Sequence, residues 1–96
     1  MSHTIEHVVI TRALELLEGG WTSHTFARDR LGQAVSPFFP GAVSFCALGA
    51  LMRASHQMGL DVGEFIDRNG FFQSLPEIND GQGKMAVMEV LRQRIV

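Results

Sequence analysis

The chain contains a single cysteine, Cys46, which excludes an internal disulfide and makes a reduced cytoplasm the expected setting. An excess of one charge is also missing. Eight Lys and Arg stand against ten Asp and Glu, for a net charge of −2, and the basic residues are scattered, so the chain has no electrostatic footprint for a phosphate backbone. Nucleic acid is therefore not an expected partner. No basic residue precedes Arg12 and no long apolar run follows it, unlike a secretory signal. The longest apolar run, from Phe45 to Met52, is far too short to span a bilayer, which removes the membrane as a partner. A P-loop, GxGxxG, CxxC and GxSxG are all lacking, and with them the usual signatures of nucleotide, metal and serine chemistry. No cofactor is expected.

What is present suits one compact domain over residues 1–96. At 96 residues, 46% hydrophobic and 19% charged, the chain is large enough for a single core without metal or disulfide staples. Ile5, Val8, Val9, Ala13, Leu16 and Leu17 recur at helical spacing from about Thr4 to Glu18, with Ser2 or Thr4 as N-cap and Gly19-Gly20 as the stop. Thr22 to Arg28 and Gln33 to Val35 read as the strands of a small hairpin around an Asp29-Arg30-Leu31-Gly32 turn. Ser36-Pro37 and Pro40-Gly41 then break the chain. The segment from Val43 to Arg53, ending near Gly59, predicts a helix apolar on almost every side, hence buried as the central element. Its small residues Cys46, Gly49, Ala50 and Ala54 leave room for another backbone to approach.

A short third helix fits between the Asp61 to Glu64 capping box and Asn69-Gly70, with Phe65 and Ile66 carrying its packing. An irregular or 3₁₀ segment from Phe71 to Ile78 around Pro76, pinned to the core by its aromatics, and a plain turn at residues 79–83 lead to a last helix from about Lys84 to Ile95, which packs through Val87, Met88, Leu91 and Ile95. The predicted fold is a helix-dominated α+β domain. About four helices pack around the central one, with one hairpin between the first and second.

Candidate sites are few. His3-Thr4-Ile5-Glu6-His7 matches H-x-x-E-H, but a third ligand and a cleft are missing, so solvated histidines are expected rather than a metal site. Cys46 near a helix start, with His24 or His56 as base and Asn79 or Asp80 orienting it, makes a cysteine-dependent enzyme the alternative reading. The apolar neighbours Phe45, Ala47 and Leu48 favour a buried structural thiol instead. Asn79-Asp80-Gly81 lacks the further acids of a calcium loop and is expected to supply turn chemistry. Trp21 is either a lid on the core or an anchor for a partner. Arg28, Asp29 and Arg30 at the hairpin tip, with Phe38, Phe39, Phe71 and Phe72, are the candidate binding residues. A surface Arg28 predicts that Arg28→Ala changes stability by less than about 0.5 kcal/mol.

The first helix ending in GGW, then FARDRLGQAV, AVSFCALGALMRA and INDGQGK, resembles a family of short proteins of unknown function from actinobacterial, proteobacterial and phage genomes. Trp21, Arg28, Asp29, Gly32, Phe45, Cys46, Gly49, Ala50, Leu51, Asn79 and Asp80 fall on its pattern. Ile78 and Met85 depart from it, standing where the family often has Trp and a Ser or Thr. The resemblance implies a shared fold, and its phage distribution implies an accessory or inhibitory protein that binds a host protein. The expected function is thus a non-enzymatic protein-interaction module, its partner another protein or a second copy.

Overall fold

The computed structural model describes the backbone of residues 2–67 and 70–95 and the side chains of residues 5–64 and 72–95. Helix α1 (Ser2–Gly19) is followed by strands β1 (Ala27–Asp29), β2 (Ala34–Val35) and β3 (Ala42–Phe45). Helices α2 (Ala47–Gln57), α3 (Val62–Asp67), α4 (Gly70–Gln73), α5 (Leu75–Gln82) and α6 (Lys84–Ile95) complete the described chain. It is a helix-rich α+β fold with a small antiparallel sheet of strand order β2-β1-β3. The expected caps at Ser2 or Thr4, the packing of Phe65 and Ile66, and the stop at Asn69 lie outside the described residues, as do the side chains of His3 and Phe71.

Helix α1 buries Val9, Ile10, Ala13 and Leu17, while Ile5 and Val8, both expected in its apolar stripe, are exposed. The buried face has rotated toward Ile10 because α1 lies against both α2 and α6. Helix α6 packs through Val87, Met88 and Leu91, and its Arg94 guanidinium donates to Glu6 near the start of α1.

The segment expected as one central helix from Val43 divides into a strand and a helix. Val43, Ser44 and Phe45 belong to β3, which pairs with β1 through Ala27↔Phe45, Arg28↔Ser44 and Asp29↔Ala42. β-branched and aromatic residues sit well on a pleated surface, and β1 provides the partner edge that an isolated segment lacks. On its other side β1 pairs with β2, so the sheet has three strands where two were expected, and β1 covers Ala27–Asp29 rather than Thr22 to Arg28. The turn between β1 and β2 closes through the Gly32 N–H to the Asp29 carbonyl at 2.9 Å. Gly32 has φ +83°, a left-handed conformation that glycine adopts without steric cost.

Helix α2 therefore begins at Ala47, with Cys46 as its N-cap. Ala47, Gly49, Ala50, Leu51, Ala54 and Ser55 are buried. The expected close approach of another backbone occurs at Gly49, where a β-carbon would lie 2.0 Å from the Phe26 carbonyl oxygen.

Residues 71–83 differ most from expectation. The irregular segment and the plain turn are both helical, in α4 and α5. Pro76 occupies the first turn of α5, where a proline's missing N–H has no intrahelical partner to lose. Asn79, Asp80 and Gly81 consequently lie within a helix rather than in a loop. Gly83 ends α5, its N–H reaching the Asn79 carbonyl at 3.3 Å.

Candidate functional site

Placing Asn79 on α5 turns it inward. It is fully buried and uses all four of its side-chain hydrogen-bonding positions. Its Oδ1 accepts from the Trp21 indole Nε1–H and from the Ala47 backbone N–H, each at 2.9 Å. Its Nδ2 donates to the Thr22 carbonyl at 3.1 Å and to Asp80 Oδ1 at 3.0 Å. One amide thus joins α5, the first turn of α2 and the segment leaving α1. Trp21 is half-buried, and its indole N–H is bonded within this knot.

Asp80, the next residue, sits at the rim. Its Oδ1 accepts from the His24 N–H at 2.9 Å, and Oδ2 lies 3.6 Å from His24 Nδ1. The His24 backbone N–H first, and the Asn79 amide second, hold the Asp80 carboxyl below the usual carboxylate range. His24 is the one described non-glycine residue with positive φ, at 66°. Such a conformation is uncommon outside glycine, although His adopts it more readily than most, and here the Asp80 carboxylate fixes its backbone.

Cys46 meets these two residues from below. A cleft of about 340 Å³ is lined by His24, Thr25, Phe26, Cys46, Pro76 and Asp80. Cys46 is 7% exposed, its Sγ accepts the Gly49 N–H at 3.2 Å, and burial pushes its thiol pKa up. A buried thiol is therefore present, as the apolar neighbours suggested, and it also borders a cavity. Of the candidate bases, His24 shares the cleft and His56 does not. His56 lies ten residues along α2, about 15 Å of helix rise, and its ring rests against Phe38 at 4.9 Å. Of the candidate orienting groups, Asp80 reaches His24, whereas Asn79 is committed to the buried knot.

The proposed binding residues separate in the same way. Arg28, expected as a surface charge, is half-buried and reaches three acceptors. Its Nε donates to Thr22 Oγ1 at 2.8 Å, Nη1 to the Gly32 carbonyl at 3.0 Å and Nη2 to the Ser23 carbonyl at 3.3 Å. Arg28→Ala should accordingly cost about 1–2 kcal/mol, since it removes the donor from the part-buried Thr22 hydroxyl and Ser23 carbonyl. Urea unfolding checks this, and wild-type stability in the variant would return Arg28 to the surface. Asp29 shapes the turn, its Oδ1 accepting from the Leu31 and Gln33 N–H groups at 2.9 Å each. Arg30 is exposed at the tip.

Phe72 is fully buried in the core, because α4 is a helix that turns it inward, and it is removed from the binding set. Phe38 and Phe39 remain 39% and 47% exposed. Arg53 secures their turn, its Nη1 donating to the Pro37 carbonyl at 2.8 Å and the Phe39 carbonyl at 2.9 Å. This clamp was not visible in the sequence, where Arg53 ends an apolar run fourteen residues from Phe39.

Among the described residues no group of three or more His, Cys, Asp or Glu can hold a metal ion, and no helix is long and apolar enough to cross a membrane. No curated protein and no solved structure matches the chain. Its relationship is drawn by sequence family alone: residues 1–95 match the family of unknown function DUF6197, and the chain belongs to that family.

Proposed function

We propose that the protein is a binding module that engages another protein through the Phe38-Phe39 turn. The observation that carries this reading is the Arg53 clamp, which fixes the backbone on both sides of Phe38 while leaving the two aromatic side chains partly in water. Aromatic residues contribute disproportionately at protein interfaces, and a turn already held in place loses little conformational freedom when it binds. The partner expected of a phage or mobile-element accessory protein is a protein of its host. Arg30 and the exposed Val43, in the strand that follows the turn, are accessible for flanking contacts.

Pull-down from a native host lysate tests the reading. The wild-type chain should retain a specific protein, and the Phe38→Ala, Phe39→Ala double variant should bind it roughly tenfold more weakly or worse, the scale of one lost aromatic anchor. Light scattering on the purified chain tests a second copy as the partner. A strictly monomeric chain that captures nothing, or captures it equally well without both rings, removes the reading.

A further inference from the structure

The cleft beside Cys46 is not used by the Phe38-Phe39 surface. It brings together a thiol, an imidazole and a carboxylate from three separate parts of the chain: the cap of α2, the segment after α1, and α5. Their order has chemical meaning. Asp80 accepts the His24 backbone N–H at 2.9 Å, its Oδ2 lies 3.6 Å from Nδ1 of the His24 ring, and His24 lines the same cleft as Cys46. A histidine whose backbone is held by a carboxylate, lining the same cleft as a thiol, supplies the parts from which a base-activated nucleophile is built. Sγ accepts the Gly49 N–H at 3.2 Å.

We propose that this cleft is an acyl-transfer site in which Cys46 takes a short apolar acyl group from an uncharged ester or thioester, with His24 as base and Asp80 as its positioning residue. Cys46 Sγ attacks the acyl carbon as its proton passes to the His24 imidazole. The bond from that carbon to the leaving oxygen or sulfur breaks, and the leaving group takes the proton back from His24 and departs as an alcohol or thiol. Water then cleaves the Cys46 thioester, giving a carboxylic acid and the free thiol. No oxidant, reductant or metal enters the balance.

The surroundings set the substrate class. Phe26 and Pro76 supply apolar walls, and a cleft of about 340 Å³ lies at the small end of ligand sites, suited to a short acyl chain. Asp80 keeps its charge at the rim, so donors bearing phosphate or carboxylate are repelled. Burial keeps the Cys46 proton on sulfur, so the reaction needs a base during the attack and does not start from a standing thiolate. The site is separate from the Phe38-Phe39 turn, and either can fail without the other.

The test uses the full chain and para-nitrophenyl butyrate. Nitrophenolate release should accompany one butyryl group per chain, located on Cys46 by peptide mass mapping. His24→Asn, which keeps a residue tolerant of positive φ, should slow acylation roughly a hundredfold, the scale of lost general-base catalysis. Asp80→Asn should slow it less and shift the pH–rate profile, with the far-ultraviolet circular dichroism unchanged. A carboxylate-bearing para-nitrophenyl ester should react more slowly than the butyrate with the wild type and lose that disadvantage in Asp80→Asn. If Cys46 of the folded wild type stays unmodified while iodoacetamide labels it after unfolding, the site is overturned. Equal acylation rates in the wild type, His24→Asn and Asp80→Asn would also overturn it, because they describe an accessible thiol and nothing more. Mapping on the wild type keeps the test decisive even if a Cys46 variant fails to fold without its cap.

Discussion

Gly49→Ala should destabilise the protein by about 1–3 kcal/mol, and Gly49→Leu by more, because there is no free space on that side of α2. Two effects oppose each other. Replacing glycine by alanine within a helix gains up to about 1 kcal/mol of propensity. Against this, the new β-carbon would sit 2.0 Å from the Phe26 carbonyl oxygen and 2.9 Å from its carbonyl carbon. These are backbone atoms, so no side-chain rotation relieves the contact. The Phe26 carbonyl also accepts the Cys46 N–H at 3.1 Å, and displacing it disturbs the cap of the same helix. The clash therefore outweighs the propensity gain. Urea unfolding followed by circular dichroism measures the difference, and a Gly49→Ala variant as stable as the wild type would mean that α2 does not pack against the entry to β1.

Asn79→Leu should cost about 2–4 kcal/mol. The leucine fills similar space, but the Trp21 indole N–H, the Ala47 N–H and the Thr22 carbonyl lose their partner. Each buried polar group left unsatisfied costs roughly 1–3 kcal/mol, and the chain tolerates few such losses, since among the described residues no buried side-chain nitrogen or oxygen lacks a partner. Asn79→Asp is not a rescue. It retains an acceptor for Trp21 and Ala47, but replaces the donor to Thr22 with a second carboxyl oxygen facing that carbonyl and the Asp80 carboxylate. Both variants should therefore unfold at lower urea than the wild type. A loss below about 1 kcal/mol in Asn79→Leu would show that water or local adjustment replaces the knot.

The contrast between these two positions shows what the sequence makes legible. Gly49 belongs to a run of small residues at helical spacing, so its close approach to another backbone follows from pattern alone, although not the identity of Phe26 as neighbour. Helices α1 and α6 follow in the same way from apolar periodicity. Asn79 was hidden by its own composition: Asn-Asp-Gly after a proline has the local chemistry of a turn. Only tertiary packing, which satisfies the amide four times, makes a helix there the better outcome. The strand at Val43 to Phe45 is illegible for a related reason. Their apolar run fits a buried helix or a buried strand equally well, and the edge of β1 decides between them.

The candidate site divides along the same line. Cys46, His24 and Asp80 are recognisable as reactive residue types in any order. Choosing His24 over His56 and Asp80 over Asn79 depends on which of them the fold brings to the cleft. Arg28 shows the opposite case, an apparent surface charge whose three acceptors lie within a few residues of it and become reachable only once the turn has closed.

Trp21 is the chain's single tryptophan, and its indole N–H is bonded to the knot. The protein's intrinsic fluorescence is therefore a local signal: it reports whether the Asn79 amide is seated, and hence whether α5 is docked against the rest of the molecule, while the remaining helices contribute nothing to it.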